Sequence, residues 1–218
     1  MTQVRLLDLG RHEYGEVLAL QRAIHDRVAD GDESETWIVV EHDPVITLGR
    51  NAKRANLLLS PESLAERGVG CFEIERGGDV TYHGPGQVVV YPIRRLPRFR
   101  EVVPLVSALE RSVIAALASL GITAHSRPEH RGVYVGNNAI CAIGLAIRRM
   151  VSLHGIALNA CTALDYDRLI TPCGTPELGI TSISHELGRT VSWGEGRDAL
   201  LSACEREFAI RFEPGHPD

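Results

Sequence analysis

Apolar residues recur along the chain in two rhythms, and these divide it into elements. Over residues 14–29 they return at helical spacing, with Val17, Leu20, Ile24 and Val28 on one face, which predicts an amphipathic helix. A longer helix is predicted over 102–120, where Val106, Leu109, Val113, Leu117 and Leu120 share a face and Gly121 supplies a stop. A third long helix is expected over 194–208, with a short helical piece before it at 182–187. Ser60-Pro61-Glu62, a capping residue followed by proline at the first helical position, starts another short helix. β-Branched and apolar runs predict strands at 4–9, 36–41, 45–48, 71–75 and 87–93, and further strands at 122–125, 132–135, 140–147 and 152–159.

Strands and helices mix without regular βαβ alternation, so the expected class is α+β, a mixed sheet packed with helices. No internal repeat or low-complexity linker interrupts the chain, and one domain is expected over 1–218, with a loose tail at 213–218. A small C-terminal subdomain after about Cys173 fits the same pattern.

Composition narrows the classes. The chain has 218 residues, 44% hydrophobic and 23% charged, enough to build a core. A formal net charge of −5 argues against nucleic-acid binding through a broad basic surface. Almost all of the positive charge is arginine, and Lys53 is the only lysine. The N-terminal residues 1–8 lack a signal-peptide run and no uncharged run approaches membrane-spanning length, so a soluble cytoplasmic protein is expected. The five cysteines (Cys71, Cys141, Cys161, Cys173, Cys204) show no C-x-x-C spacing. They suggest neither a zinc knuckle nor a disulfide frame, and fit a reducing compartment.

Three segments carry candidate chemistry. The first is the segment 76–91, which runs Arg76-Gly77-Gly78-Asp79-Val80-Thr81-Tyr82-His83-Gly84-Pro85-Gly86-Gln87 and ends at Tyr91. Its glycines let the backbone approach a ligand, while Arg76, Thr81, His83 and Gln87 can hydrogen-bond a carbonyl or fix a chain. It is neither a Walker loop nor a dinucleotide fingerprint, and glycine content alone favours an ordinary glycine-rich hairpin. The second is Cys141-Ala142-Ile143-Gly144 with Leu153-His154-Gly155-Ile156-Ala157, small residues beside a histidine. These suit a narrow apolar slot with one polar group at its mouth, or a core hairpin with a satisfied histidine. The third is Thr171-Pro172-Cys173-Gly174-Thr175, where a turn can present a nucleophile to neighbouring N–H groups. Cys71, Cys141 and Cys161 lie in apolar runs and are read as buried hydrophobes, and Cys204 belongs to a helix.

In this order and spacing the segments resemble the octanoyl-[acyl-carrier-protein]:protein octanoyltransferases, the lipoate-protein ligase B family. The resemblance covers nearly the whole chain, from Glu41-His42-Asp43-Pro44 through the glycine-rich segment to Pro172-Cys173-Gly174 and Thr181-Ser182-Ile183. It implies a fold shared with biotin and lipoate ligases but chemistry without ATP, cofactor or metal. It implies an acyltransferase that takes an octanoyl group from acyl carrier protein onto Cys173 as a thioester. The acceptor would be a lysine of lipoyl domains in 2-oxo acid dehydrogenase E2 subunits or of the glycine cleavage H protein. Residues 76–83, Ala142 to Gly144 and Gly155 to Ala157 fall on the family's acyl-binding segments, with His154 and Gln87 in supporting places. Neither nucleic acid nor membrane is an expected partner, and a monomer is expected.

The chain departs from the pattern at Ala139, where the family carries the lysine that lowers the pKa of the cysteine. A free thiol with a pKa of about 8.5 is only a few per cent thiolate at neutral pH. Three readings stand: a deliberately disabled variant, a natural homologue of reduced or altered activity that binds acyl groups without efficient turnover, or a chain in which another residue serves. For the last, His83 and His154 are the available bases and Lys53 the only lysine. ATP-dependent ligases on the same fold are the rival enzyme class; here Arg-Gly-Gly is followed by Asp79 and no lysine lies near Ala139.

Overall fold

The computed structural model describes residues 1–127, 130–171 and 178–216. Its elements run β1 (Thr2–His12), α1 (Tyr14–Asp30), β2 (Thr36–His42), β3 (Val45–Leu48), α2 (Pro61–Glu66), β4 (Gly70–Glu73), β5 (Val80–His83), β6 (Gln87–Ile93) and α3 (Val102–Ser119). There follow β7 (His125–Ser126), β8 (Gly132–Val135), β9 (Asn138–Arg148), β10 (Val151–Asn159), β11 (Gly179–Ile180), α4 (Ile183–Leu187), α5 (Trp193–Phe208) and β12 (Ile210–Pro214). The class is α+β, as the mixed order predicts.

A large sheet has the order β12-β1-β2-β6-β10-β9-β8-β7, with β11 added beside β9, and a second sheet has the order β4-β3-β5. β1 and β2 are parallel, which requires a crossover, and α1 supplies it. From β2 onward the neighbours β6, β10, β9, β8 and β7 pair antiparallel.

Alternation decides what each face of the large sheet buries. Trp37 and Val39 of β2 and Val88 and Val90 of β6 pack with Leu105, Leu109, Val113 and Leu117 of α3 and Leu200 of α5. Ile38 and Val40 of β2, with Val89 and Tyr91 of β6, turn to the other face and pack with Val17, Ile24 and Val28 of α1. Central strands covered on both sides read as unbroken apolar runs, and this is why Trp37-Ile38-Val39-Val40 and Val88-Val89-Val90 contain no polar residue. Burying each such side chain contributes roughly 1.5–3 kcal/mol. The stretch Phe99–Ser119 is long and apolar enough to cross a membrane by length and composition. Here it is a core helix, whose Leu109, Val113 and Leu117 are fully buried.

The helix ends follow from local chemistry. Ser60, Ser182 and Ser192 cap α2, α4 and α5 through their side-chain oxygens. Beyond α3, Gly121 takes a φ of 86°, which terminates the helix where the sequence places its stop.

Three expectations are corrected. Of the strand expected over 122–125, only His125 is paired, because Ile122 turns into the core. β5 was not foreseen within the glycine-rich segment; it pairs β3 from Leu48↔Val80 to Val45↔His83. Glu213 and Pro214, placed in the tail, belong to β12, which pairs parallel to β1 at Arg5↔Glu213 and Leu6↔Pro214. Gly215 continues the pairing by donating its N–H to Leu6 O at 2.8 Å.

Candidate active site

β9 and β10 form one wall of the site. Their register sets Ala142 opposite Ala157, Ile143 opposite Ile156 and Gly144 opposite Gly155, so the two small-residue segments of the sequence are one continuous surface. The glycine-rich segment lies across it: Gly77 donates its N–H to Leu145 O at 2.9 Å. A glycine at 144 makes room for this approach, since a Cβ there would stand a tight 3.1 Å from Gly77 O and 3.2 Å from Arg76 Cδ. Gly78 turns the segment with a φ of 88°, in the left-handed region that glycine tolerates.

These walls enclose a cavity of about 550 Å³, within the range of small-molecule sites. Of the residues expected to bind the acyl group, Arg76, Gly77, Gly78, Asp79, Val80, Thr81 and His83 line it, as do Ala142, Ile143, Gly144, His154, Gly155, Ile156 and Ala157. Tyr82 does not; its ring stacks on Tyr166 at 4.5 Å. Gln87 acts at one remove, through His83. The sequence reading missed Tyr14 of α1, Tyr91 of β6, Val102 and Val106 of α3, and the neighbours His130 and Arg131, all of which line the cavity. Val106 was visible only as one position of a helix face, and nothing local marked which end of that helix meets the site.

The buried polar groups are organised by backbone carbonyls. Gln87 Nε2 donates to Tyr82 O at 3.2 Å and to Asn159 Oδ1 at 3.0 Å, which leaves Gln87 Oε1 to accept from His83 Nδ1 at 2.8 Å. Asn159 in turn donates to Thr181 O at 3.0 Å. A carbonyl can only accept, so both amides are oriented and His83 carries its proton on Nδ1. Its Nε2 remains an acceptor, 3.4 Å from Thr47 Oγ1. Burial pushes the His83 pKa down to about 3 and that of its neighbour His42 down to about 4, so both rings are neutral.

Arg76 is committed to the fold, although it borders the cavity. Its guanidinium donates to Thr47 O at 2.7 Å, to Thr47 Oγ1 at 2.9 and 3.2 Å, and to Gly77 O at 3.0 Å. His154 is only 2% exposed, with a φ of 61°. Its Nε2 lies 3.7 Å from a Glu75 carboxylate oxygen, and neither ring nitrogen has a hydrogen-bond partner among the described residues. Burial lowers its pKa against the opposing pull of Glu75. Glu75 itself is held well below the usual carboxylate range, first by the His154 ring and then, against the effect of burial, by Arg22. His154 is thus part of the inner wall and not a group at the mouth, and with Tyr14 and His83 it makes the cavity more polar inside than the expected slot.

Asp79 laces a loop to the cavity rim. Its carboxylate accepts from Lys53 N at 3.0 Å and from the Asn56 side chain, while Gly49 donates to Asp79 O at 3.1 Å and Asn51 to Gly78 O at 3.1 Å. The same loop holds the segment that leads toward Cys173: Leu58 donates to Leu169 O at 2.9 Å and Thr171 to Asn56 O at 2.9 Å. Cys173, with its neighbours Pro172, Gly174 and Thr175, lies outside the described residues. Beyond them, Gly179 and Ile180 pair with Asn138 and Ala139 of β9, and Thr181 donates to Ala139 O at 3.0 Å.

None of the other four cysteines borders the cavity. Cys141 is buried, as read from the sequence, and Cys204 is buried on its helix, whereas Cys71 and Cys161, also read as buried, are half-buried. Burial raises the pKa of all four, that of Cys204 to about 12.

Comparison with known proteins agrees with this geometry. The family model for the lipoyl protein ligase A/B catalytic domain matches residues 13–205. An octanoyltransferase of Syntrophobacter fumaroxidans is 46% identical over 204 residues, covering 93% of this chain and 90% of the relative. One of Alkaliphilus metalliredigens is 43% identical over 207 residues, covering 94% and 95%. A further octanoyltransferase, of Myxococcus xanthus, is 43% identical over 210 residues, and the match spans 93% of this chain but 59% of that longer relative. Among solved structures, lipoate-protein ligase A bound with ATP superimposes with a TM-score of 0.81 at 17% identity, covering 98% of this chain and 89% of that one. Biotin protein ligase from Aquifex aeolicus gives 0.53 at 11% identity, covering 95% and 69%. At these identities the structures speak to the fold alone, while the sequence relatives and the family model identify the line of descent. The chain belongs to the lipoyl protein ligase A/B catalytic-domain family and, within it, to the octanoyltransferases of the lipoate-protein ligase B group.

Proposed function

We propose that this protein transfers an octanoyl group from octanoyl-acyl carrier protein, through a thioester on Cys173, to a lysine of a lipoyl domain. The observation that carries the reading is the cavity itself. Three segments distant in sequence meet there, in the register Ala142–Gly144 against Gly155–Ala157 and under Arg76–Val80. The apolar wall residues Val80, Val102, Ile143 and Ile156 take the hydrocarbon. At roughly 0.8 kcal/mol per buried methylene, six methylenes contribute about 5 kcal/mol. Cys173 is the one cysteine not already accounted for by a position away from the cavity.

In the first step the Cys173 thiolate attacks the carbonyl carbon of the donor thioester. The new C–S bond forms as the bond to the carrier's sulfur breaks, and the carrier thiol leaves with a proton. In the second step the neutral amine of the acceptor lysine attacks the Cys173 thioester, an amide forms, and the thiol is released as the amine loses a proton. Residues 1–218 act as one catalytic domain in this scheme, in a reducing compartment such as the cytoplasm, with transient protein partners as donor and acceptor.

The test is transfer to a purified lipoyl domain, or to the glycine cleavage H protein, from octanoyl-acyl carrier protein in the absence of ATP. A mass gain of one octanoyl group on the acceptor supports the reading. Transfer from free octanoate that requires ATP makes the protein a ligase instead, and cavity binding of octanoyl groups with no acceptor product makes it an acyl-binding homologue.

A further inference from the structure

We propose that the exposed start of α3 is the surface on which the acyl carrier protein docks to deliver its octanoyl thioester; the inference deepens the acyl-transfer reading above and rests on it. Two apolar side chains stand out in solvent there, Phe99 at 72% and Val103 at 58% exposure. They lie four positions apart, about one helical turn, and so share a face. The stripe does not stop at the surface. Val102 and Val106, each three residues farther along, are half-buried and line the cavity. A lone exposed apolar side chain is ordinary, whereas a continuous apolar run leading into a ligand cavity marks a contact surface.

Charge around this stripe has the opposite sign to the chain as a whole. The net charge is −5, yet Arg94-Arg95-Leu96-Pro97-Arg98-Phe99-Arg100 holds four arginines and no carboxylate. Two of them are committed to the fold. Arg95 donates to Val28 O at 2.7 Å and to Ala29 O at 2.8 Å, at the end of α1, and Arg94 lies 3.5 Å from Glu35. Arg98 and Arg100, on either side of Phe99, are exposed. Arg98 makes no hydrogen bond or ion pair with a described residue. Arg100 lies 3.6 Å from Glu101, a surface pair that holds it weakly.

An apolar stripe flanked by available guanidinium groups fits an acidic protein, and complementarity of this kind steers encounter and fixes register. Of the two partners in the reaction, the donor is the one this chemistry selects. Its thioester hangs on a phosphopantetheine arm, whose phosphodiester is an anion that guanidinium groups pair with well. Its hydrocarbon must enter the cavity, and the walls at Val102 and Val106 continue into the stripe. The acceptor instead presents a lysine, a cation that Arg98 and Arg100 repel, and it puts no hydrocarbon into the cavity.

The experiment measures carrier binding and octanoyl loading side by side on the whole chain. The binding probe is acyl carrier protein bearing an octanoyl amide in place of the thioester, which cannot react. Arg98→Glu/Arg100→Glu is expected to weaken its binding about tenfold at low salt, and Phe99→Ser several-fold. Raising the salt from about 50 mM to about 500 mM should weaken native binding and narrow its difference from the double variant. Loading from octanoyl-acyl carrier protein should fall in parallel. Loading from octanoyl-pantetheine, which lacks both the protein and the phosphodiester, should stay within about twofold of native, as for surface substitutions away from the site. Unchanged probe binding in the double variant overturns the inference. So does an equal fall in loading from both donors, which would mean that the start of α3 only shapes the cavity. Variants that bind the probe normally and fail only in transfer to the lipoyl domain assign this face to the acceptor and overturn it as well. The amide probe does not react, so the two readings separate. Carrier binding that depends on Arg98 and Arg100, with no loading in the native chain, overturns the acyl-transfer reading alone.

Discussion

Gly77 donates its backbone N–H to the carbonyl oxygen of Leu145 at 2.9 Å, and that bond joins the two halves of the cavity. It holds the glycine-rich segment flat against β9 over the space that a side chain at Gly144 would fill. Gly144→Val places methyl groups against Gly77 O and Arg76, so the segment must lift. The expected result is a loss of about 1–3 kcal/mol of stability from overpacking and at least a tenfold slower octanoyl loading. Urea unfolding and timed intact-mass spectra check the two effects separately.

Chain length follows from the apolar wall. Replacing an octanoyl donor by a hexanoyl donor removes two methylenes from burial, about 1.6 kcal/mol. Loading measured as kcat/KM at equal donor concentration should fall by about 10- to 20-fold. Equal rates for the two donors would mean that the hydrocarbon does not occupy the cavity.

The buried imidazoles set an acid limit on stability. His83 and His42 stay neutral in the folded protein down to about pH 3 and 4, respectively, whereas unfolded histidines protonate below about 6.5. The unfolded chain then binds more protons, so stability is complete above pH 6.5 and falls as pH drops through the window to 4. The expected loss is about 2 kcal/mol between pH 6.5 and 5.5 for the pair, read from denaturant midpoints at constant ionic strength. His83→Gln should remove its share of the slope.

The face of α3 was legible in the sequence through its helical periodicity, as was that of α1, while unbroken β-branched and apolar runs marked β2 and β6. Leu109 of that face is fully buried. Leu109→Ala should cost about 2–5 kcal/mol, measured by thermal or urea unfolding, while leaving octanoyl loading intact under conditions where the chain remains folded.

What the sequence concealed has physical causes. β5 is only four residues long and sits inside a run of glycines, where backbone freedom masks any alternation. β12 has a proline and two charged residues, and joins the sheet through Arg5↔Glu213 and Leu6↔Pro214, a pairing that depends on a partner about 200 residues away. The small-residue segments at 142–144 and 155–157 were recognisable as site residues, yet their opposition across a hairpin is a property of register. Tyr14 and Arg131 carried no local mark, since each reaches the cavity from an element whose main role is elsewhere, and Tyr91 was visible only as the end of the glycine-rich segment. The Asp79 and Asn56 contacts that connect the rim to Thr171 are likewise long-range and invisible in spacing.

The central claim is that Cys173 carries the acyl group, and the direct measurement is the intact mass of the protein after mixing with octanoyl-acyl carrier protein, with ATP and acceptor absent. The account predicts a gain of one octanoyl group in the native chain and none in Cys173→Ser. No adduct at any pH, or an adduct that persists in Cys173→Ser, would contradict it.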